Sequence, residues 1–454
     1  MTQATSDLTK FQWSPQPKAA ALVQELLDEF LKRCPDAAKF AKRLHRETGT
    51  RFIDWISWIG AGPSSWAARV RECGFEPDRS EERFRHPAAM FPMIVIAKKN
   101  SRDSIEVNVR ADSVADFLFA NRLPDRYGII GEPGVPSRFT LVYSTGRASM
   151  GVRESHGENR EKFVPRDNQA AAIRELFRLR RRAFDEETAG FEDANQLIDE
   201  AVKAVGPDRA ADLFFSAERE YWMSRNRAAQ IQYARQQRLG LGWANHDHHT
   251  YRSSREHFKD LIAIFEKLGL VCRERFYAGR EAGWGAQVME QPNAGIVVFA
   301  DVDLSPDEVT ADFAHEPLAP RKELGTVGLW CALHGESFLE AGMHHLECQF
   351  DFDAAREQLA ALGVNSMKPF TDFPYLKQCF TEGEMWPVEP KRIEALLAAG
   401  RITPEQAEKF RRQGAIGSHL EILERNDGYK GFNQTGISEI IRQTDPRNAG
   451  GARG

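Results

Sequence analysis

One pattern of elements occurs twice between residues 243 and 424, and a duplicated module restricts the accessible folds more than any single stretch does. In the first copy, residues 243–252 read as a strand and 254–268 carry apolar side chains at helical spacing. Gly269 then interrupts, and strands follow at 270–277, 284–290 and 295–301. The second copy has a strand at 343–350, a helix at 353–362, a break at Gly363, a Phe- and Tyr-rich stretch at 370–380 and a closing strand at 418–424. A small helical insertion occupies 390–413. Each copy approximates βαβββ with histidine in its opening strand.

Those histidines have a metal-site composition. The first strand ends His246-Asp247-His248-His249-Thr250-Tyr251-Arg252. Alternate side chains of a strand share a face, so His246, His248, Thr250 and Arg252 point one way and Asp247, His249 and Tyr251 the other. In the second copy His345, Glu347 and Gln349 share a face and His344 takes the opposite one. Because histidines are adjacent in both strands, the choice between His248 and His249, and between His344 and His345, depends on strand phase. In the closing strand Glu421 stands between Leu420 and Ile422, where an unpaired ionised carboxylate would cost several kcal/mol, roughly. Coordination to a metal would remove that cost, and two imidazoles with one carboxylate leave open positions on the ion.

The Asp247-His248 opening, His345 opening the next unit and the strand Leu420-Glu421-Ile422-Leu423-Glu424-Arg425 resemble the vicinal oxygen chelate superfamily. Within it they resemble the 4-hydroxyphenylpyruvate dioxygenase-like enzymes and the 2-oxoadipate dioxygenase/decarboxylase (hydroxyglutarate synthase) family. The resemblance spans roughly residues 243 to 445. It implies an α+β fold in which paired βαβββ modules form a curved, half-open barrel. It implies that His248, His345 and Glu421 hold Fe(II), with Zn, Mn or Ni as lesser alternatives and O2 as co-substrate. The implied reaction is decarboxylation of a 2-oxo acid with hydroxylation. Arg252, four residues past His248, would anchor a substrate carboxylate, the alternative being an ion pair with Asp301 or Asp303. Gln287 and Gln349 are implied as polar wall residues, and Tyr429, Phe432 and Asn433, in a Gly/Phe/Asn-containing segment, as a cover over the site. Competing readings are an extradiol dioxygenase or glyoxalase-type enzyme, a metallohydrolase and a non-catalytic binding protein. The metallohydrolase pattern would want Asp and His where Thr250 and Tyr251 stand.

The chain before the modules divides in two. Residues 1–15 read as a loose leader, 19–44 as an amphipathic helical pair broken at Pro35, and 51–59 as an aromatic, β-branched strand. A helix capped by Ser64 or Ser65, strands at 90–98, 104–110 and 138–144 and a helix at 114–121 follow, with a Gly/Pro-rich turn at 131–136. This predicts an N-terminal α+β domain over 1–165, with a degenerate pair of the same modules, lacking ligands, at 45–165. Residues 166–240 read as a charged helical bridge, with helices at 170–184, 191–205 and 210–237. The metal-binding domain is expected at 241–446 and a flexible tail at 447–454.

A formal charge of -5 gives no reason to expect nucleic acid, and the run Arg178-Leu179-Arg180-Arg181-Arg182 reads as a solvated helix face. Six scattered cysteines without Cys-x-x-Cys spacing predict reduced thiols in the cytoplasm. With no signal-peptide pattern and no 18-residue apolar run, secretion and membrane spanning are not expected. The expected partner is a small carboxylic acid, with a homodimer left open.

Overall fold

The structure, a computed structural model, describes residues 13–62, 66–78, 80–96, 103–131, 138–154, 167–433 and 444–448. Most of the expected leader, the cap at Ser64 or Ser65, the turn after Gly131 and most of the tail lie outside the described residues.

Two helices open the described chain, α1 (Pro17–Arg33) and α2 (Pro35–Thr48). In α1 the apolar positions Leu22, Val23, Leu26, Leu27 and Phe30 recur at helical spacing and are all buried. Pro35 starts α2 because its missing N–H costs nothing in a first turn. The strands and helices that follow are β1 (Ile56–Gly62), α3 (Trp66–Glu72), β2 (Glu76–Pro77), β3 (Arg83–Arg85), β4 (Met93–Ile96), β5 (Ser104–Ala111), α4 (Val114–Ala120), β6 (Phe139–Ser144) and β7 (Ala148–Glu154). They build one sheet in the order β2-β3-β4-β1-β5-β7-β6.

The expected strand over 51–59 begins later than its composition suggests. Asp54 accepts from the Arg51 N–H at 2.7 Å and pairs with the Arg51 guanidinium at 2.7 Å, which closes Phe52–Trp55 into a 3-10 turn before β1.

Four helices come next, α5 (Asp167–Leu179), α6 (Glu187–Val205), α7 (Pro207–Ser224) and α8 (Arg227–Gln237). The single helix expected at 210–237 is two, because Asn226 caps α8 by accepting from the Ala229 N–H. The basic run is also not a solvated face: α5 ends at Leu179, and Arg180 and Arg182 turn inward onto buried Glu218. Phe177, Phe191, Ile198, Phe214 and Phe215 share one core with Tyr251, Phe258 and Phe265, so these helices cover one face of the second sheet.

That sheet contains β8 (His246–Arg252), β9 (Val271–Tyr277), β10 (Trp284–Gln291), β11 (Ile296–Asp303), β12 (His345–Gln349), β13 (Thr371–Phe373), β14 (Leu376–Phe380) and β17 (His419–Arg425). Its order is β13-β14-β17-β12-β8-β11-β10-β9. The helices α9 (Phe258–Lys267) and α11 (Phe352–Ala360) follow β8 and β12, so each half is a βαβββ unit. In each unit the first and last strands pair in parallel, β8 with β11 and β12 with β17, and the units join antiparallel through β8 and β12. The sheet stays open, with β9 and β13 at its edges. The N-terminal sheet repeats this connectivity with one strand fewer: β1 pairs parallel with β4, β5 parallel with β7, and β1 antiparallel with β5.

The second unit carries the expected insertion as α12 (Pro390–Ala398) and α13 (Pro404–Gln413), flanked by the short paired strands β15 (Met385–Trp386) and β16 (Ala415–Ile416). One helix was not expected, α10 (Thr326–His334), which is buried on all sides and so shows no helical period. It is held from outside its own sequence: Asp303 accepts the N–H groups of Gly325, Val327 and Gly328 at 2.8, 3.0 and 2.9 Å. A Cβ at Gly325 would lie 2.4 Å from that carboxylate, so glycine is needed there. No helix among the described residues is long and apolar enough to cross a membrane.

Candidate metal centre

The register of three neighbouring strands sets the site. Across β8, β12 and β17, His248 is opposite Glu347 and Glu347 is opposite Glu421; one step along, Thr250 is opposite His345 and His345 opposite His419. Of these, His248, Thr250, His345, Glu347 and Glu421 line a cavity of about 60 Å³, also lined by Arg252, Asp301, His344, Gln378, Phe432 and Asn433. One water needs about 10–15 Å³ by this measure, so the space suits a small ligand.

His248, His345 and Glu421 are all buried and each offers a ligand atom within 4.8 Å of the others. His345 Nε2 lies 2.9 Å from Glu421 Oε2, and His248 Nε2 lies 2.8 Å from Glu347 Oε2. Both rings are oriented from behind. Asp247 Oδ1 is 3.3 Å from His248 Nδ1, and the Nδ1 atoms of His345 and His344 are 2.9 Å apart. Partners on Nδ1 leave Nε2 for an ion, an arrangement common to metal-binding histidines.

Asp247, His248 and Glu347 form a second candidate set that shares His248. Asp247, however, is engaged elsewhere: Arg425 donates to both its oxygens at 3.0 Å and Gln349 donates at 3.0 Å. Burial alone would raise the Asp247 carboxyl, but Arg425 and His248 hold it well below the ordinary range. Among the described residues, no guanidinium or ammonium pairs with His248, His345 or Glu421 in this way. Gln378 donates to Glu421 at 3.2 Å and is itself fixed by the Thr371 hydroxyl at 3.0 Å, which in turn accepts from Asn433 at 3.2 Å.

The electrostatics are those of a cation site. Burial, and then the Glu347 charge beside it, push the Glu421 carboxyl well above its ordinary range. Burial opposes charge on His248, but Glu347 and Asp247 raise it to about 9. His345 is pushed well below the usual imidazole value by burial and by its histidine neighbours.

Beyond the ligand atoms the cavity wall carries buried polar atoms with no hydrogen-bond partner among the described residues. They are Thr250 Oγ1, Arg252 Nε and Nη1, Trp284 Nε1, Asp301 Oδ1 and His344 Nε2. Each such atom costs on the order of 1–3 kcal/mol unless something satisfies it, so their gathering on one cavity points to a polar ligand. Arg252 makes neither expected ion pair as a hydrogen bond; Asp303 is engaged by α10, and Asp301 is pushed up to about 7 by burial, with Arg252 opposing.

The other sequence candidates divide. Phe432 lies edge-on to His248 at 5.4 Å and to Phe299 at 4.5 Å, and Asn433 lines the cavity. Tyr429 does not; its ring packs on Tyr375 at 4.7 Å, and residues 434–443 lie outside the described residues. Gln287 is not a wall residue, because β10 turns Trp284, Ala286 and Val288 to the cavity-side core while the Gln287 amide donates to Glu274 O and Val288 O at 3.0 Å. Gln349 is also displaced: it lies beyond a bulge that places the extra residue Asp247 of β8 against β12, and its amide holds Asp247 instead. His249 faces the helices, its Nε2 3.1 Å from Arg219 Nη1. Sequence reasoning missed Glu347 as a neighbour of both His248 and Glu421, and Gln378 and His344 as lining groups; only the shared face of His345 and Glu347 hinted at the first.

No protein-family model matches the chain, and no curated protein does. Among solved structures, a mutant of 4-hydroxymandelate synthase from Streptomyces coelicolor is 13% identical, with 87% of this chain and 98% of that one covered and a TM-score of 0.29. Methylmalonyl-CoA epimerase from Mycobacterium tuberculosis is 14% identical, with 40% and 88% covered and a TM-score of 0.23. The uncharacterized protein YdcJ from Shigella flexneri is 11% identical, with 57% and 73% covered and a TM-score of 0.24.

Proposed function

We propose that the protein is a non-haem Fe(II) dioxygenase that decarboxylates a small 2-oxo acid and hydroxylates what remains. The observation that carries this reading is the convergence of His248, His345 and Glu421 from three adjacent strands in one buried cavity. Their chemistry fits a divalent ion: two imidazoles with Nδ1 already occupied, and a carboxylate buried opposite a second one. His248, His345 and Glu421 would hold that ion. Fe(II) bound there supplies a Lewis-acidic seat for the 2-oxo acid and the redox partner for O2.

The chain's own residues do the rest. Arg252 offers two buried, unused donors to a carboxylate at the far end of the acid. Asp247 and His344 keep the two imidazoles oriented, and Gln378 keeps Glu421 turned inward. Phe299, Phe370, Phe380 and Phe432 line the cavity and give it apolar walls that disfavour water around the ligand.

Glu347 favours a second reading. A further carboxylate 2.8 Å from His248 Nε2 suits a glyoxalase-type metalloenzyme that moves protons without O2. The two separate in one experiment. Protein purified anaerobically and loaded with Fe(II) is exposed to O2 with a panel of 2-oxo acids that includes 2-oxoadipate and 4-hydroxyphenylpyruvate. Oxygen uptake matched by CO2 release is the expected result, and bound iron with no uptake on any acid overturns the dioxygenase reading.

A further inference from the structure

Arg252 and Asp301 are directly opposite each other on the parallel strands β8 and β11, both buried and both lining the cavity. A guanidinium and a carboxylate so placed ordinarily bind each other. Here Arg252 Nε and Nη1 and Asp301 Oδ1 all lack hydrogen-bond partners among the described residues. Part of the reason lies in α10. Asp303, two residues beyond Asp301, fixes the start of that helix, and the helix carries the Trp330 ring to 5.6 Å from the Arg252 guanidinium carbon. The guanidinium is thus positioned against an aromatic face and presents its donors separately from the acceptor of Asp301.

A ligand that satisfies both groups must bring an acceptor for Arg252 and a donor for Asp301. With Asp301 ionised, a plain carboxylate would answer Arg252 alone and would set a second negative charge beside Asp301. A carboxylate flanked by a donor answers both. Resting on the 2-oxo acid reading, we infer that the substrate carries an ammonium or hydroxyl group next to its distal carboxylate, and that Asp301 is the residue that selects for it. Trp284 Nε1 and Thr250 Oγ1, also unpartnered on the same wall, add a donor for the carboxylate and a hydroxyl that can serve either group.

The test is a binding comparison under anaerobic conditions with Fe(II)-loaded protein, by calorimetric titration. The probes are 2-oxoadipate and its two analogues bearing an amino or a hydroxyl group beside the distal carboxylate. The native protein is expected to bind at least one analogue about tenfold or more tighter than 2-oxoadipate, since a buried acceptor left unanswered penalises the plain acid. Asp301→Ala is expected to erase the preference. The isosteric Asp301→Asn, which keeps the fold if Ala does not, should retain a preference for hydroxyl and lose one for ammonium. Equal affinities in the native protein, a preference that survives Asp301→Ala, or no binding of any of the three overturns the inference. Admission of O2 then tests the reaction separately. Selective binding without oxygen uptake sinks the dioxygenase reading and leaves Asp301 as the selecting residue, whereas uptake with equal affinities does the reverse.

Discussion

Glu347 and Glu421 face each other across the parallel strands β12 and β17, both buried, with the amide of Gln378 reaching toward each. Two ionised carboxylates cannot both be held there without a proton or a cation, and the raised Glu421 carboxyl expresses that conflict. Binding of a divalent ion should therefore release protons and stabilise the fold. At a free metal concentration about 100 times Kd the gain is about 2.7 kcal/mol. Scanning calorimetry with Fe(II), Co(II) or Zn(II) against a chelator-treated sample reads this directly. The gain should vanish in Glu421→Ala, and an unchanged Tm on metal addition in the native protein would count against the site.

Asp247 acts on the centre from behind. Its oxygen near His248 Nδ1 and its paired bonds from Arg425 hold that ring in the orientation that frees Nε2. Asp247→Asn keeps the shape and removes the charge. Metal affinity is expected to fall about 10- to 100-fold with the ligands themselves intact. Competition with a chromophoric chelator measures it, and native affinity in the variant would show that His248 orients itself.

Much of this centre is legible from period alone. That His248 shares a face with Arg252, and His345 with Glu347, follows from alternation, and the end of the helix in each module follows from Gly269 and Gly363, both at positive φ where a side chain would be strained. What alternation does not carry is the partner across the strand. Glu347 is on the face of His345, yet nothing local says that Glu421 and His248 flank it; register does. Gln349 is lost to its bond with Asp247 beyond a bulge in β8, and Gln287 to a phase that turns β10 the other way. The helix α10 is invisible because it is apolar on every side and its cap, Asp303, stands more than twenty residues upstream.

Behind β8 a buried ion cluster fixes the strand. Glu218 pairs with Arg180 at 3.1 Å and with Arg182 at 2.5 Å and accepts from the Tyr251 hydroxyl at 3.2 Å. Burial would raise this carboxyl, but the two guanidiniums bring it below its ordinary 4.5. A depressed carboxyl contributes stability above its unfolded value, lost as pH falls through the folded one. Glu218→Ala should cost about 3–5 kcal/mol at pH 7, since it strands two buried cations. Urea melts should show the gap between native and variant narrowing below about pH 4.5; a gap independent of pH would mean that packing, not charge, is what the substitution removes.

Asp301 has the opposite sign. Its carboxyl is raised from 3.8 to about 7, so the metal-free fold binds this proton more tightly than the unfolded chain does. The stabilisation is complete below about 3.8 and is lost as pH rises to about 7. Asp301→Asn has no such proton to lose. Relative to native protein the variant should gain stability between pH 4 and pH 7, read by thermal melts across that range without metal. A constant difference would place the Asp301 carboxyl at its ordinary value.

Arg252 distinguishes a binding residue from a structural one. Two of its donors are buried and unanswered among the described residues, which is a cost to the empty fold and an asset only when an anion arrives. Arg252→Ala should raise KM for a dicarboxylic 2-oxo acid by roughly 10- to 150-fold, corresponding to about 1.5–3 kcal/mol for charge-assisted bonds, with a smaller effect on kcat. The same substitution should leave the Tm of the substrate-free protein unchanged or higher, because residues kept for binding are often unfavourable to the fold that carries them. A structural ion pair with Asp301 predicts the reverse, a lower Tm and an unaltered KM. Measuring both quantities on one variant therefore decides which task the guanidinium performs.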